Sequence, residues 1–217
     1  MIADVSVIIP TLNAAAFLPA TLAAVGGAAE VVVVDGGSTD ETTELATALG
    51  VRVVVASHGR GTQNAAGIAA ASHPWLLVLH ADTRLAAGWQ RALHGDPARA
   101  GYFRFALDSD DPRARRLERL VAWRCRVLGL PYGDQGLLIH RDLLRAVGGV
   151  RALPLMEDVD LVWRLGRHRM VALAADAVTS AAKWEHGGYL RRSARNLLCL
   201  ALWFAGVPPR LIIRLYA

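Results

Sequence analysis

Short apolar runs alternate with longer amphipathic stretches through the first part of the chain. The runs at 5–9, 31–34, 52–55 and 75–79 are rich in Val, Ile and Leu, the composition of buried strands. The intervals near 14–24, 39–49 and 61–71 are predicted helices. Ser38 and Glu41 have capping-box spacing, so the second of these is predicted to begin there. Strand–helix alternation implies a parallel sheet covered on both faces, with right-handed crossovers. Beyond Asp82 the rhythm changes. A strand is predicted at 101–107 and a helix from Pro112 to about 126, behind the start signals Asp110 and Asp111. A loop at 130–136 leads to a short strand at 137–139. A helix follows from Glu157 to about 168, then a last strand at 170–174. Residues 189–216 read as two amphipathic helices broken at Pro208 and Pro209. No internal repeat or low-complexity linker interrupts the pattern, so 1–217 is read as one domain with parts at 1–100, 101–188 and 189–217.

Composition adds to this picture. With 53% hydrophobic residues and a mean hydropathy of +0.30 there is material for a sizeable core, and disorder is excluded. The net charge of +5 points to anionic partners such as nucleotide phosphates or acidic lipids. The arginines are spread through amphipathic stretches and no reader motif is present, so nucleic acid is not a predicted partner. Cys125 and Cys199 lack metal or redox spacing and read as buried thiols in a reducing compartment. The first residues lack the basic start and cleavage site of a signal peptide. No run reaches the roughly 18–20 apolar residues of a membrane span. The expected location is therefore the cytoplasm, with peripheral contact at the inner membrane face as an option. That option comes from the stretch 113–126, where six arginines accompany Leu117, Leu120, Val121 and Trp123, and from Arg191, Arg192 and Arg195 ahead of the apolar run 197–204. Packing on the sheet or in a homodimer accounts for the same apolar faces.

Candidate chemistry gathers at the ends of the predicted strands. Pro10-Thr11-Leu12-Asn13 follows the first, offering short polar side chains to a ligand or to a helix start. Asp35, with Gly36 behind it, closes the second, at the strand end where open α/β sheets bind ligands. Arg60 lies in a Gly-rich loop and can pair with a phosphate or a base carbonyl, with Asn64 and Gly67 on the helix that follows. His80 and Asp82 flank Ala81 after the fourth strand. In an extended segment they point the same way, toward one divalent ion or the diphosphate it holds. Glu157 and Asp158 open a predicted helix, where the dipole favours ionised carboxylates. Asp160 and Arg164 have helical pair spacing and read as a surface or supporting pair. The Asp134-Gln135-Gly136 loop is a candidate sugar or acceptor contact, or a plain turn. Lys183 can neutralise a diphosphate, and His186 can approach a metal.

Together, Pro10–Asn13, Val34–Asp40, Arg60 with Asn64 and Gly67, Ala81-Asp82, and Met156–Asp160 with Trp163-Arg164-Leu165 resemble the inverting family 2 glycosyltransferases of GT-A fold. The resemblance implies an α/β, GT-A-like, mostly parallel sheet flanked by helices, with C-terminal amphipathic helices. Its nucleotide-binding half would be 1–100 and its acceptor and catalytic half 101–188. It implies transfer from a nucleoside diphosphate sugar, by default UDP-linked, to an unspecified hydroxyl acceptor. Pro10, Thr11, Asn13, Asp35, Gly36, Arg60, Asn64, Ala81, Asp82, Gln135 and Lys183 would lie on the donor side. Asp82 matches the last acid of the family's Asp-x-Asp metal motif, and His80 stands in place of the first. Imidazole is a softer ligand than carboxylate, but a divalent ion (Mn²⁺ or Mg²⁺) can be held by one carboxylate, phosphates and waters. Asp158 would be the general base, with Glu157 the second choice. A narrower resemblance links Leu79–Leu85, Gly133–Gly136, Pro154–Asp160 and the Lys183-Trp184-Glu185 segment to a bacterial subgroup associated with arsenosugar biosynthesis. The rival class is a non-catalytic nucleotide-sugar-binding module acting with a partner protein. A Rossmann dehydrogenase is disfavoured because no GxGxxG follows the first strand.

Overall fold

A computed structural model describes residues 4–216. Strands and helices alternate as β1 (Val5–Thr11), α1 (Leu18–Ala24), β2 (Glu30–Asp35), α2 (Thr42–Ala48), β3 (Arg52–Val55), α3 (Arg60–Ala70) and β4 (Trp75–Val78). Then come β5 (Thr83–Leu85), β6 (Ala100–Leu107), α4 (Pro112–Leu128), β7 (Leu137–His140), α5 (Arg141–Ala146) and α6 (Glu157–Leu165). The chain closes with β8 (Met170–Thr179), α7 (Ala182–Gly187), α8 (Tyr189–Phe204) and α9 (Pro209–Tyr216). All strands join one sheet in the order β3-β2-β1-β4-β7-β6-β8-β5. The β1–β4 part is parallel throughout. Both neighbours of β7 run antiparallel to it, and β5 is antiparallel to β8, so the second half makes the sheet mixed.

Both faces of the sheet are covered, which is why its central strands are nearly all apolar. Alternation along β1 assigns Ile8 to one core layer and Val7 and Ile9 to the other. The Ile8 layer lies under α3, α4, α5 and α6, and the opposite layer under α1 and α2. A third apolar cluster joins Leu155, Met156 and Val159 to Cys199 and Leu200 of α8 and Ile212 of α9. Cys125 and Cys199 are free, buried thiols. Close approach sets α3: a Cβ on Gly67 would sit 2.4 Å from Ile8 Cγ2 and 2.7 Å from Val34 Cγ2. Gly67 therefore serves packing, and brings the start of α3 over the strand ends.

Several local expectations are corrected. Ser38 and Glu41 form no capping box. Ser38 Oγ is drawn to Asp35 Oδ1 at 2.5 Å, and α2 starts only at Thr42, whose N–H donates to Asp40 Oδ1 at 3.1 Å. The first helix starts at Leu18, with Pro19 in its opening turn. α6 ends at Leu165 because Gly166 turns the chain with φ 75°. β8 continues to Thr179, since β6 and β5 flank it along that length. β5, α5 and α7 were not predicted; all are short and lack a full period of pattern.

Glu30 ties the lower ends of several strands together. Ser6 Oγ donates to it at 2.5 Å, and the Ser72 N–H and hydroxyl donate at 2.7 and 3.1 Å. Burial alone would raise its carboxyl, but these hydrogen bonds outweigh burial and hold it below the ordinary 4.5. A depressed acid contributes stability above its unfolded pKa, and that contribution is lost as pH falls through the folded value. Glu30→Gln should therefore lower stability at neutral pH and flatten the loss of stability below pH 4.5, measured by urea melts across pH. An unchanged acid limb would assign the slope to other carboxylates.

Candidate active site

The strand ends place the polar side chains in two clusters. In the first, Asp35 ends β2 and is buried. Its Oδ2 accepts from the N–H groups of Gly37 and Ser38 at 2.9 and 2.8 Å, and its Oδ1 from Ser38 Oγ and Thr11 Oγ1. Burial pushes the Asp35 carboxyl up, but the bonds from Ser38, Gly37 and Thr11 together hold it below 3.8, so it is ionised. Asn13, in a left-handed conformation (φ 49°), accepts from Thr39 N–H and donates its own N–H to Ser38 Oγ, each at 2.8 Å. Gln63 was not predicted, yet it pins both loops: its Nε2 donates to Thr11 O at 2.7 Å and Val34 O at 2.8 Å. A Cβ on Gly36 would meet that amide at 3.0 Å, so Gly36 gives Gln63 its place.

The second cluster surrounds a cavity of about 140 Å³. Arg60 enters it from the start of α3, His80 and Asp82 from the turn after β4, Tyr132 and Asp134 from the loop before β7, and Asp158 from the start of α6. Lys183 from α7 and Arg192 and Asn196 from α8 close the other side. His80 and Asp82 share the cavity through a turn, not an extended segment: Thr83 N–H donates to His80 O at 3.1 Å. Asp82 Oδ2 pairs with Lys183 Nζ at 2.9 Å. Burial and the nearby Arg60 charge push His80 down to about 4 against the pull of Asp82 and Asp158, so the imidazole is neutral at pH 7.

The start of α6 separates its two acids. Met156 caps it in a left-handed conformation (φ 65°), a strained geometry for a side chain of that size. Adjacent helical residues diverge by roughly 100°. Glu157 turns inward, where its Oε1 meets Arg60 Nε at 2.9 Å. Burial and the neighbouring Asp158 push its carboxyl up to about 7, against the pull of Arg60. Asp158 faces the cavity. Its Oδ2 accepts from Gly133 N–H and its Oδ1 from Val159 N–H, both at 2.8 Å. Gly133 is required there, because a Cβ would lie 2.5 Å from His80 Nε2. Gly61 is equally constrained, with a Cβ 2.4 Å from Arg151 O, and this contact seats α3 against the chain entering α6.

The remaining predicted residues fall elsewhere. Gln135 is buried, with Nε2 on Phe103 O at 3.0 Å and Oε1 accepting from Cys125, Arg124 and Tyr132, so its amide is committed to the loop. Its neighbour Asp134 reaches the cavity instead. Burial pushes Asp134 up to about 6, and its Oδ1 has no hydrogen-bond partner. His186 lies on α7 with Nδ1 2.8 Å from Ala182 O, outside the cavity lining. Ala81 receives Thr21 Oγ1 on its carbonyl at 2.7 Å. Asn64 is buried in α3. Pro10 lies within β1, opposite Val34. Asp160 is no surface residue: Arg151 and Arg164 both bind it, and its side chain is only 7% exposed. Arg192 and Asn196 could have been found from their one-turn spacing on the polar side of α8.

Residues 6–94 match the family described as glycosyl transferase family 2. An uncharacterised glycosyltransferase of Mycobacterium tuberculosis is 41% identical over 85 residues, 39% of this chain and 39% of its own length. A glycosyltransferase of Mycobacterium bovis named for PGL/p-HBAD biosynthesis is 44% identical over 91 residues, covering 37% of this chain and 36% of the relative. These matches thus span well under half of those relatives. Among solved structures, glucosyl-3-phosphoglycerate synthase from Mycobacterium tuberculosis, in complex with Mn²⁺, UDP-glucose and glycerol 3-phosphate, superposes with a TM-score of 0.65 at 19% identity. That superposition covers 94% of this chain and 81% of the synthase. The same enzyme with Mg²⁺ and UDP gives a TM-score of 0.60 at 20% identity, over 82% and 69% of the two chains. The chain therefore has the GT-A fold, and its 6–94 segment matches the family 2 glycosyltransferases.

Proposed function

We propose that this chain transfers a sugar, with inversion, from a nucleoside diphosphate donor to a hydroxyl acceptor, with UDP as the nucleotide and Asp158 as general base. The observation that carries this reading is the convergence of Asp158, Asp82, Arg60 and Lys183 on one cavity at the strand ends. Thr11, Asn13 and Asp35 would receive the base and ribose, since Asp35 is an ionised acceptor at the end of β2. Arg60 and Lys183 would face the diphosphate and stabilise the charge that collects on it as the anomeric C–O bond breaks. Asp158 would take the acceptor's hydroxyl proton as its oxygen attacks the opposite face of the anomeric carbon, which inverts the centre.

A divalent ion fits this site in one way. Asp82 offers a hard oxygen and His80 a neutral imidazole to the same cavity. Among the described residues no group of three His, Cys, Asp or Glu side chains can hold a metal. The remaining ligands would come from diphosphate and water, a common arrangement for Mg²⁺. An ion held there supplies positive charge to the diphosphate; Mn²⁺ accepts the imidazole more readily than Mg²⁺. The narrower arsenosugar-associated grouping is retained as a proposal about substrate class only.

A panel of nucleotide sugars tested by thermal shift, with and without Mn²⁺, checks the reading. A donor at 100 times its Kd should stabilise the fold by about 2.7 kcal/mol. Asp82→Ala should weaken UDP binding and remove its metal dependence, with His80→Ala doing less. Equal UDP affinity of the parent protein in Mn²⁺ and in EDTA would sink the metal part while leaving the transferase part standing.

A further inference from the structure

We propose that the outer face of α4, α8 and α9, with Trp163 of α6, docks on an anionic membrane surface. The sequence of α8 is amphipathic in an inverted sense. Its inward side carries Arg192 and Asn196 into the cavity and Cys199 and Leu200 into the third core cluster. Its outward side carries Leu190, Leu197 and Leu198, which are 86%, 67% and 51% exposed, and Phe204. Trp163, 59% exposed, extends this surface, its ring 5.0 Å from that of Phe204. Trp163 also shares a groove with Leu128 at the end of α4. Along α4, Leu120 and Trp123 are exposed among Arg116, Arg119 and Arg126 at helical spacing. Apolar surface this extensive is seldom left to water.

Charge decides what covers it. No Asp or Glu occurs after Glu185, while Arg191, Arg210 and Arg214 are exposed on α8 and α9. The one acid of α4, Glu118, turns to the sheet, accepting from Leu107 N–H and Arg115 at 2.8 Å each. Within α4, α8 and α9 themselves the exposed side chains are therefore cationic or apolar, and Asp110, Asp111 and Glu185 stand at the edge of this face, ahead of α4 and α8. A second copy of the chain in two-fold contact would set arginines against arginines. Anionic headgroups complement them, and guanidinium binds phosphate through two parallel hydrogen bonds. The Leu and Trp side chains would enter the headgroup–acyl boundary, as interfacial helices do. Among the described residues no helix is long and apolar enough to cross a bilayer, so the contact is peripheral. Because Arg192 and Asn196 sit on the inner side of the same helix, docking brings the cavity rim close to the lipid surface.

Docking stands on vesicle binding alone, whereas the transferase reading stands on donor binding and turnover. The test is flotation of the full chain with vesicles of phosphatidylcholine alone and of phosphatidylcholine with phosphatidylglycerol. The parent should float with the mixed vesicles at low salt and less at high salt. Leu197→Glu combined with Leu198→Glu should reduce the bound fraction about tenfold or more, with an unchanged far-UV circular dichroism spectrum and a cooperative urea transition as the measures of folding. Leu49→Glu, an exposed site on the loop after α2, should float like the parent. A parent that ignores anionic vesicles overturns the proposal, as does a double variant that floats undiminished. If the double variant instead turns a dimer into a monomer by light scattering, the face belongs to a second copy.

Discussion

Asp158→Asn is expected to lower transfer by about 10²–10⁴-fold while leaving UDP affinity within about twofold. The change keeps the shape of the side chain, and an amide oxygen can still accept from the Gly133 N–H that now bonds Oδ2 at 2.8 Å. What it removes is the capacity to take a proton, together with the acceptor that Oδ1 offers to the Val159 N–H of its own helix turn. Asp158 is already held by two backbone N–H groups and faces the cavity, so little reorganisation separates it from an acceptor hydroxyl. Glu157 is the weaker candidate. It is 2% exposed, paired with Arg60 and outside the cavity lining, so an acceptor hydroxyl does not reach it. Single-turnover kinetics beside calorimetric UDP titration separate the two effects. Undiminished turnover in the Asn variant would remove Asp158 from the role and direct attention to Glu157 and Asp134.

Asp160→Ala should cost about 3–5 kcal/mol of stability, the largest structural effect expected of a single change in this region. Its carboxylate accepts from Arg151 at 2.9 Å and from two nitrogens of Arg164 at 2.9 and 2.7 Å. Arg164 also donates to the carbonyls of Val147 and Gly149, so the trio fastens the loop after α5 to α6. Alanine would strand the guanidinium of Arg164, only 16% exposed, without its counter-charge. The contrast is Arg104→Ala. Arg104 meets Asp176 at a similar 2.7 Å, but both are well exposed. That pair should be worth at most about 1 kcal/mol, because water screens it. Urea unfolding of the two variants measures the difference. Equal losses would mean that burial adds nothing to the Asp160 pairs. Since the backbone of Arg151 lies against Gly61 at the start of α3, Asp160→Ala should loosen Arg60 as well.

Much of the site was legible because its residues follow strand ends. Val31–Val34 forms a strand from local preference and burial together, so Asp35 at its end was placed correctly by pattern alone. The same holds for Asp82 after β4 and for Glu157-Asp158 at the start of α6. The errors have a common origin in competition for hydrogen bonds. Ser38 has the spacing of a helix cap, yet Asp35 takes its hydroxyl. Gln135 has the position of a ligand contact, yet Phe103 O, Cys125 and Arg124 use its amide. Asp160 and Arg164 have the spacing of a surface pair, and only the arrival of Arg151 and the fold around α6 bury them. Periodicity reports which face of an element is apolar, but it does not report which polar group on another element is nearer.

What the sequence determined by itself was local: the short β-branched runs, the helices between them, and the acids and arginines at their junctions, all set by interactions within a few residues. What only the tertiary structure decided was which of these junctions meet. Glycines at 61, 67 and 133 let backbone and side chains approach where a single methyl group would collide. Those contacts set Arg60 against Glu157 and leave Asp158 to the cavity. The orientation of α8 was likewise undecided by its sequence, since either face could have been buried. The fold turns Arg192 and Asn196 to the charged cavity and Cys199 and Leu200 to the third core cluster, and leaves Leu190, Leu197 and Leu198 outside, because a half-buried cation needs partners, and the Trp184 ring and the cavity's carboxylates at the strand ends supply them.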